Sequence, residues 1–244
     1  MSSTWPAALH AARAVRPRDA ASLVILDHVA GKTRILIGRR RDDMKFAPGK
    51  YVFPGGRVDR GDGRMPVAAD LPRSELAMLL VDMKGRPSIA RARGLALAAI
   101  RETFEETGLL IGTPSDPLPA PPSQDWRHFL AHGHLPNPAG LRFFARAVTP
   151  AGRPRRFDAR FFAVNSSAIV RTAERRDAEL TVLEWLTLEE ARRRDLHAQT
   201  RALVDDIVDR LDGRGFIAPG APVPYYATRR GKYCRTLIDG ESRT

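Results

Sequence analysis

The chain has 244 residues, enough for one sizeable core, and its 43% hydrophobic and 28% charged content is that of a soluble globular protein. No apolar stretch reaches the length of a membrane span, the start Met1–Pro6 has no secretory pattern, and the lone Cys234 excludes an internal disulfide and a cysteine-built zinc site, so a cytoplasmic protein is expected. The excess of 40 Lys+Arg over 28 Asp+Glu, a formal net charge of +12, favours anionic partners, and arginines scattered without interleaved aromatics point to a small polyphosphate and away from nucleic acid.

Along the chain, Ser22–Leu26 and Arg34–Gly38 are apolar, β-branched runs separated by Gly31-Lys32, which predicts a hairpin. Tyr51-Val52-Phe53 predicts a third short strand running into Pro54-Gly55-Gly56, where glycine permits close backbone approach to a ligand. From Asp59 to about Ile89 the chain is rich in Gly, Pro and charge, apart from a predicted short helix over Ser74–Asp82.

A long helix is predicted from Ile89 to Thr107. Leu97, Ile100 and Phe104 give it a core-facing stripe, and Gly108 sits where a left-handed residue would end it. On the same helix Glu102, Glu105 and Glu106 stand at i, i+3 and i+4 and so share a face. Like charges so placed repel by about 0.2–0.5 kcal/mol per pair on an exposed helix, so the cluster needs a cation to become favourable. A hard divalent ion such as Mg²⁺ takes carboxylate oxygens and keeps positions open for water and phosphates. Arg101, four residues before Glu105, can orient it by a charge-assisted hydrogen bond.

Leu109–Ile111 predicts a short buried strand, and five prolines between Pro114 and Pro122 predict an irregular exposed loop. A short helix follows over Trp126–His132, then a hairpin of Leu141–Thr149 and Phe157–Val164 turning at Pro150-Ala151-Gly152. Leu180–Leu186 predicts another strand, Thr187 and Glu190 a capping box, and Leu196–Leu211 a final helix. The tail from 213 to 244 is expected to be irregular. His128, His132 and His134 have no metal-ligand spacing and read as loop histidines.

Gly56, Asp62 and the run Arg101-Glu-x-x-Glu-Glu-x-Gly-Leu109 together resemble the signature of the Nudix hydrolases, over roughly residues 20 to 190. Here 38 residues, 63 to 100, separate the two halves, far more than the family pattern has. The split resembles the branch that includes peroxisomal coenzyme A diphosphatases, as do Met44-x-Phe46-x-Pro48 through Asp59 and Arg155-Arg156-Phe157-Asp158-x-x-Phe161-Phe162. Two positions depart from the pattern. Asp62 stands where Glu is more usual, which shortens its reach to a metal, and Thr103 stands where an aliphatic residue is more usual.

The resemblance implies one α/β domain over residues 1 to 244, a Nudix-type α/β/α sandwich with a mixed central sheet, an insertion at 63–90 and a C-terminal helix. It implies hydrolysis of a pyrophosphate in a nucleoside diphosphate linked to a moiety X, with coenzyme A or an acyl-coenzyme A expected. ADP-ribose, NADH or a nucleotide sugar is the alternative, and a non-catalytic nucleotide or RNA module is the alternative of another class. Catalytic residues would be Arg101, Glu102, Glu105 and Glu106. Mg²⁺ or Mn²⁺ would be held by Glu102, Glu105, Glu106 and the Gly56 carbonyl, with Glu102 completing the site or acting as general base. Arg39, Arg40, Phe53, Gly55, Arg155 and Arg156 would bind the nucleotide diphosphate, and a homodimer is an open option.

Overall fold

The structure, a computed structural model, describes residues 15–175, 179–229 and 232–239. The chain opens with strand β1 (Arg18–Val29) and strand β2 (Lys32–Arg40), an antiparallel hairpin turning at Ala30-Gly31. The two strands pair only near the turn, from Leu26↔Ile35 to Val29↔Lys32. Beyond that they part, and the chain from β3 (Tyr51–Val52) to β4 (Gly55–Arg57) fills the gap. β3 pairs with β2 through Gly38↔Val52, and β4 pairs with β1 through Ala21↔Gly56. Between them the Leu23 N–H donates to the Pro54 carbonyl at 2.9 Å, so the glycine turn is held as part of the sheet.

Next come helices α1 (Arg73–Leu80) and α2 (Ile89–Thr107), strand β5 (Leu109–Pro114), helix α3 (Gln124–Leu130) and strand β6 (His134–Pro136). Strands β7 (Arg142–Val148), β8 (Phe157–Asn165), β9 (Ile169–Thr172) and β10 (Leu180–Thr187) follow. Helices α4 (Leu188–Arg192) and α5 (Ala198–Val208) precede β11 (Val223–Arg229) and β12 (Lys232–Ile238). Among the described residues, one sheet runs β10-β2-β1-β8-β7-β11-β12 with β3 and β4 attached to β2 and β1. It is mixed, because β1 with β8 and β7 with β11 are parallel while the other pairs are antiparallel. A smaller sheet runs β6-β5-β9.

Alternation along the strands builds two cores. Leu23 and Ile25 of β1 face α2, where they meet Leu97, Ile100 and Phe104. Val24 and Leu26 face the other way, toward Leu203, Val204 and Ile207 of α5. The result is an α/β/α sandwich. Helix α2 begins where the Ser88 side chain accepts the Arg91 N–H at 3.2 Å and stops at Gly108, whose φ of 75° only glycine adopts cheaply. The Thr187–Glu190 capping box is in place at the start of α4.

The segment 63–90 packs as part of this architecture. Met65, Leu71, Leu79 and Met83 are buried in the same core as α2. The Glu75 carboxylate, also buried, accepts the Phe143 N–H of β7 at 2.7 Å, and Asp70 forms an ion pair with Arg93.

The C-terminal segment corrects the expectation of an irregular tail over 213–244. Val223–Tyr226 form a strand beside β7, with register pairs Tyr225↔Arg146 and Tyr226↔Ala147, and β12 pairs along β11. Pro224 and the Gly- and Pro-rich run before it mask this strand in the sequence. Its anchor is tertiary, since the Tyr226 hydroxyl donates to Asp206 of α5 at 2.6 Å and Arg235 pairs with the same carboxylate. Residues 230–231 and 240–244 lie outside the described residues. The final helix is also shorter than expected, starting at Ala198, with Leu196 buried ahead of it.

If segment 63–90 shares the main core, Leu79→Ala should cost about 2–5 kcal/mol in urea unfolding, as a buried leucine does, whereas a peripheral lid would lose almost nothing.

Candidate active site

The glycine turn meets the C-terminal half of α2. The Gly55 N–H donates to Glu106 Oε2 at 2.9 Å. Gly55 has a φ of 153°, and a side chain there would run into the Ala21 carbonyl and Ser22 of β1. At Gly56 a Cβ would lie 2.5 Å from the Glu102 carboxyl carbon, so any side chain there would push that carboxylate out of its place. The two halves of the split signature are therefore in contact across the sheet–helix boundary.

Arg101 ties them together. Its Nε and Nη2 form a fork on Asp62 at 2.9 and 3.0 Å, Nη2 also donates to the Arg57 carbonyl at 2.9 Å, and Nη1 reaches Glu102 at 2.9 Å and Glu105 at 3.5 Å. Burial works against the charge of this guanidinium, but Asp62, Glu102 and Glu105 outweigh it and hold the group protonated. Asp62 is wholly buried and accepts two further hydrogen bonds, from the Trp126 indole at 2.9 Å and the Asp59 N–H at 2.7 Å. The shorter acid at this position is accounted for by Arg101, which it faces.

The acids themselves are short of positive charge. Burial pushes the Glu102 carboxyl up to about 7, with Glu105 and Asp62 adding to the shift and Arg101 opposing it. Burial also raises Glu106 well above the usual carboxylate range, with Glu102 and Glu179 adding repulsion while the Gly55 N–H and Arg40 oppose it. Three carboxylates that share the Arg101 and Arg40 charges, with no thiol or imidazole among them, fit a hard divalent cation. As the side chains stand, no group of three His, Cys, Asp or Glu among the described residues is drawn together tightly enough to hold a metal, since Glu102 turns to Arg101 and Glu106 to Gly55.

Of the expected substrate residues, Arg40 lies with the cluster. It pairs with Glu179 at 3.0 Å, donates to the Phe46 carbonyl at 3.0 Å, and its charge acts on Glu106. Gly55 is there too, through its bond to Glu106, and the structure does not bring the other four there. Arg39, next along β2, takes the opposite face by alternation and pairs with Asp42 at 2.6 Å. Phe53 is buried in the core under α5. Arg155 is exposed on the β7–β8 turn, and Arg156 donates to the backbone carbonyls of Thr149 and Val15 at 3.1 and 2.7 Å. The three histidines are not all in loops, since His128 is on α3 and His134 on β6. His128 and His132 pack on Phe104 with ring centroids 5.4 and 5.2 Å away. Two residues were not foreseen as part of the site, Trp126 and Glu179. Their partners, Asp62 and Arg40, lie 64 and 139 positions away in the chain, beyond any local pattern.

No family model matches the chain. Among solved structures it is similar to a NUDIX hydrolase from Alicyclobacillus acidocaldarius, with 26% identity and a TM-score of 0.57 over 78% of this chain and 90% of that one. It also aligns with the NUDIX domain of Shewanella oneidensis NrtR complexed with ADP ribose, at 10% identity and a TM-score of 0.47, over 81% of this chain and 90% of that one. A C. elegans Ap4A hydrolase aligns at 18% identity and a TM-score of 0.41, covering 79% and 96% of the two chains. The fold is thus that of the Nudix hydrolases. The likeness to the Alicyclobacillus acidocaldarius hydrolase supports an enzyme, a pyrophosphohydrolase. Among the described residues no helix is long and apolar enough to cross a membrane.

Two outcomes test this geometry. Trp126→Phe removes one donor from the buried Asp62 carboxylate and should cost about 1–3 kcal/mol in denaturant unfolding, with turnover falling more than substrate affinity as Arg101 loosens. The Glu102 carboxyl is raised in the folded state from its ordinary 4.5 to about 7, so it stabilises the metal-free protein below about pH 4.5 and that contribution is lost as pH rises toward 7. In chelator, the wild-type thermal midpoint should therefore fall over that range, and Glu102→Gln should flatten the slope.

Proposed function

We propose that the chain is a metal-dependent diphosphatase of a nucleoside diphosphate linked to X, with coenzyme A or an acyl-coenzyme A as the substrate. The observation that carries this reading is the convergence of Gly55-Gly56 with Glu102 and Glu106, buried acids whose pKa values are raised despite the nearby charges of Arg101 and Arg40. The insertion that splits the signature, the run from Met44 to Asp59 and a net charge of +12 support coenzyme A within the class.

Mg²⁺ or Mn²⁺ held by Glu102, Glu105 and Glu106, with the Gly56 carbonyl as a further oxygen, would neutralise the diphosphate and acidify a water molecule. The residues of the chain prepare that position. Asp62 and Trp126 fix Arg101, and Arg101 in turn fixes Glu102 and leans on Glu105. The Gly55 N–H holds Glu106 by one oxygen. Glu102, whose carboxyl protonates near neutral pH in the metal-free protein, would complete the metal site or serve as the general base. Arg40 stands beside Glu106, where a guanidinium fork suits a phosphate.

The test is a panel of coenzyme A, acyl-coenzyme A, ADP-ribose, NADH and nucleotide sugars incubated with Mg²⁺ or Mn²⁺, with both products identified. Coenzyme A should be cleaved to adenosine 3′,5′-bisphosphate and 4′-phosphopantetheine. Glu105→Gln and Glu106→Gln should each lower turnover by about 10² or more with little loss of fold. A Glu106→Gln protein of full activity would sink the assignment.

A further inference from the structure

Arg40 is the second cation near the acids, and its hydrogen bonds are committed elsewhere. Its side chain, at the end of β2, is only 12% exposed. Nε donates to the Phe46 carbonyl at 3.0 Å, Nη2 donates to Glu179 at 3.0 Å, and Cζ lies 6.0 Å from the centre of the Phe46 ring. Glu106 feels the Arg40 charge but takes its hydrogen bond from the Gly55 N–H. A nearly buried guanidinium thus stands in the field of two carboxylates and is bonded to one of them.

The backbone fixes Glu179 in that position. Its carbonyl accepts the Arg41 N–H at 3.0 Å, and the next residue, Leu180, pairs with Arg40 where β10 meets β2. Leu180 in turn packs over Gly38, where a Cβ would lie 2.6 Å from Leu180 Cδ1, so the two strands are pressed together beside the pair. Arg40 is anchored on its other side, its N–H donating to the Lys50 carbonyl at 2.9 Å.

A guanidinium this far from water is costly to leave without a carboxylate. Deprived of Glu179, Arg40 has Glu106 as the next acid in its field. An arginine fork on Glu106 would compete with a divalent ion for the same oxygens. We infer that Glu179 is a positioning residue that tethers Arg40 away from Glu106 and so keeps that carboxylate open to a divalent cation. The inference rests on the proposed metal-dependent reading, and it adds to the site a residue from outside both halves of the signature, acting through Arg40.

The test is Mn²⁺ binding by calorimetric titration of the metal-free protein, with turnover of the substrate panel as a second readout. Glu179→Gln should weaken Mn²⁺ binding by about tenfold. Arg40→Gln should bind Mn²⁺ at least as tightly as the wild type. In the Arg40→Gln/Glu179→Gln double variant the loss should vanish, because the cation that Glu179 restrains is gone. Unchanged Mn²⁺ affinity in Glu179→Gln overturns the tether, and so does an equal loss in the double variant, which would mean that the Glu179 charge acts on the metal directly. Mn²⁺ binding that responds to all three variants as expected, with no substrate of the panel cleaved by the wild type, would end the diphosphatase reading while leaving the tether standing.

Discussion

The buried fork between Arg101 and Asp62 is the interaction on which the rest of the site depends. A charged pair with neither partner exposed is costly to desolvate, and it persists only when every remaining donor and acceptor is used. Here they are: Asp62 takes four hydrogen bonds, and Arg101 gives Nη2 also to the Arg57 carbonyl and Nη1 to Glu102 and Glu105. The same pair therefore joins the loop after β4, helix α3 and the acidic face of α2. Removing either partner leaves an uncompensated charge in the core and releases the acids together.

The sheet supplies the second half of the constraint. Because β1 and β2 part beyond Leu26, the glycine turn is not a free loop but a filler between strands, and its amide points at α2 with little freedom to move. A turn fixed in this way can hold Glu106 by one oxygen without ordering anything at the moment a ligand arrives, which is the preorganisation that transition-state stabilisation requires. The insertion at 63–90 extends that rigidity, since its apolar residues complete the core under the helix.

Much of this was legible in the sequence where the signal is local. The period of Leu97, Ile100 and Phe104, the Gly108 stop and the Thr187 capping box located their elements closely, because helix boundaries are written in side chains a few positions apart. The acidic face of α2 followed from the same kind of pattern, whereas its meeting with Gly55-Gly56 was expected only from the resemblance to a split signature. What escaped was tertiary. Trp126 reads as an ordinary apolar residue until Asp62 is placed beside its indole, and Tyr226 reads as part of a Pro-rich tail until Asp206 is placed beside its hydroxyl. Arg39 and Arg40 look equivalent in sequence, yet strand alternation puts them on opposite faces, and only one lies with the acids.

The C-terminal hairpin has a consequence for how the chain behaves among its own copies. By lying along β7 it covers a flank rich in buried aromatic and aliphatic residues and moves the open border of the sheet outward to β12. That border carries Lys232 and Arg235, cations that discourage another chain from zipping onto unpaired backbone groups. A net charge of +12 and a cationic outer strand thus work against strand-to-strand aggregation at this border of the sheet, the opposite border being β10.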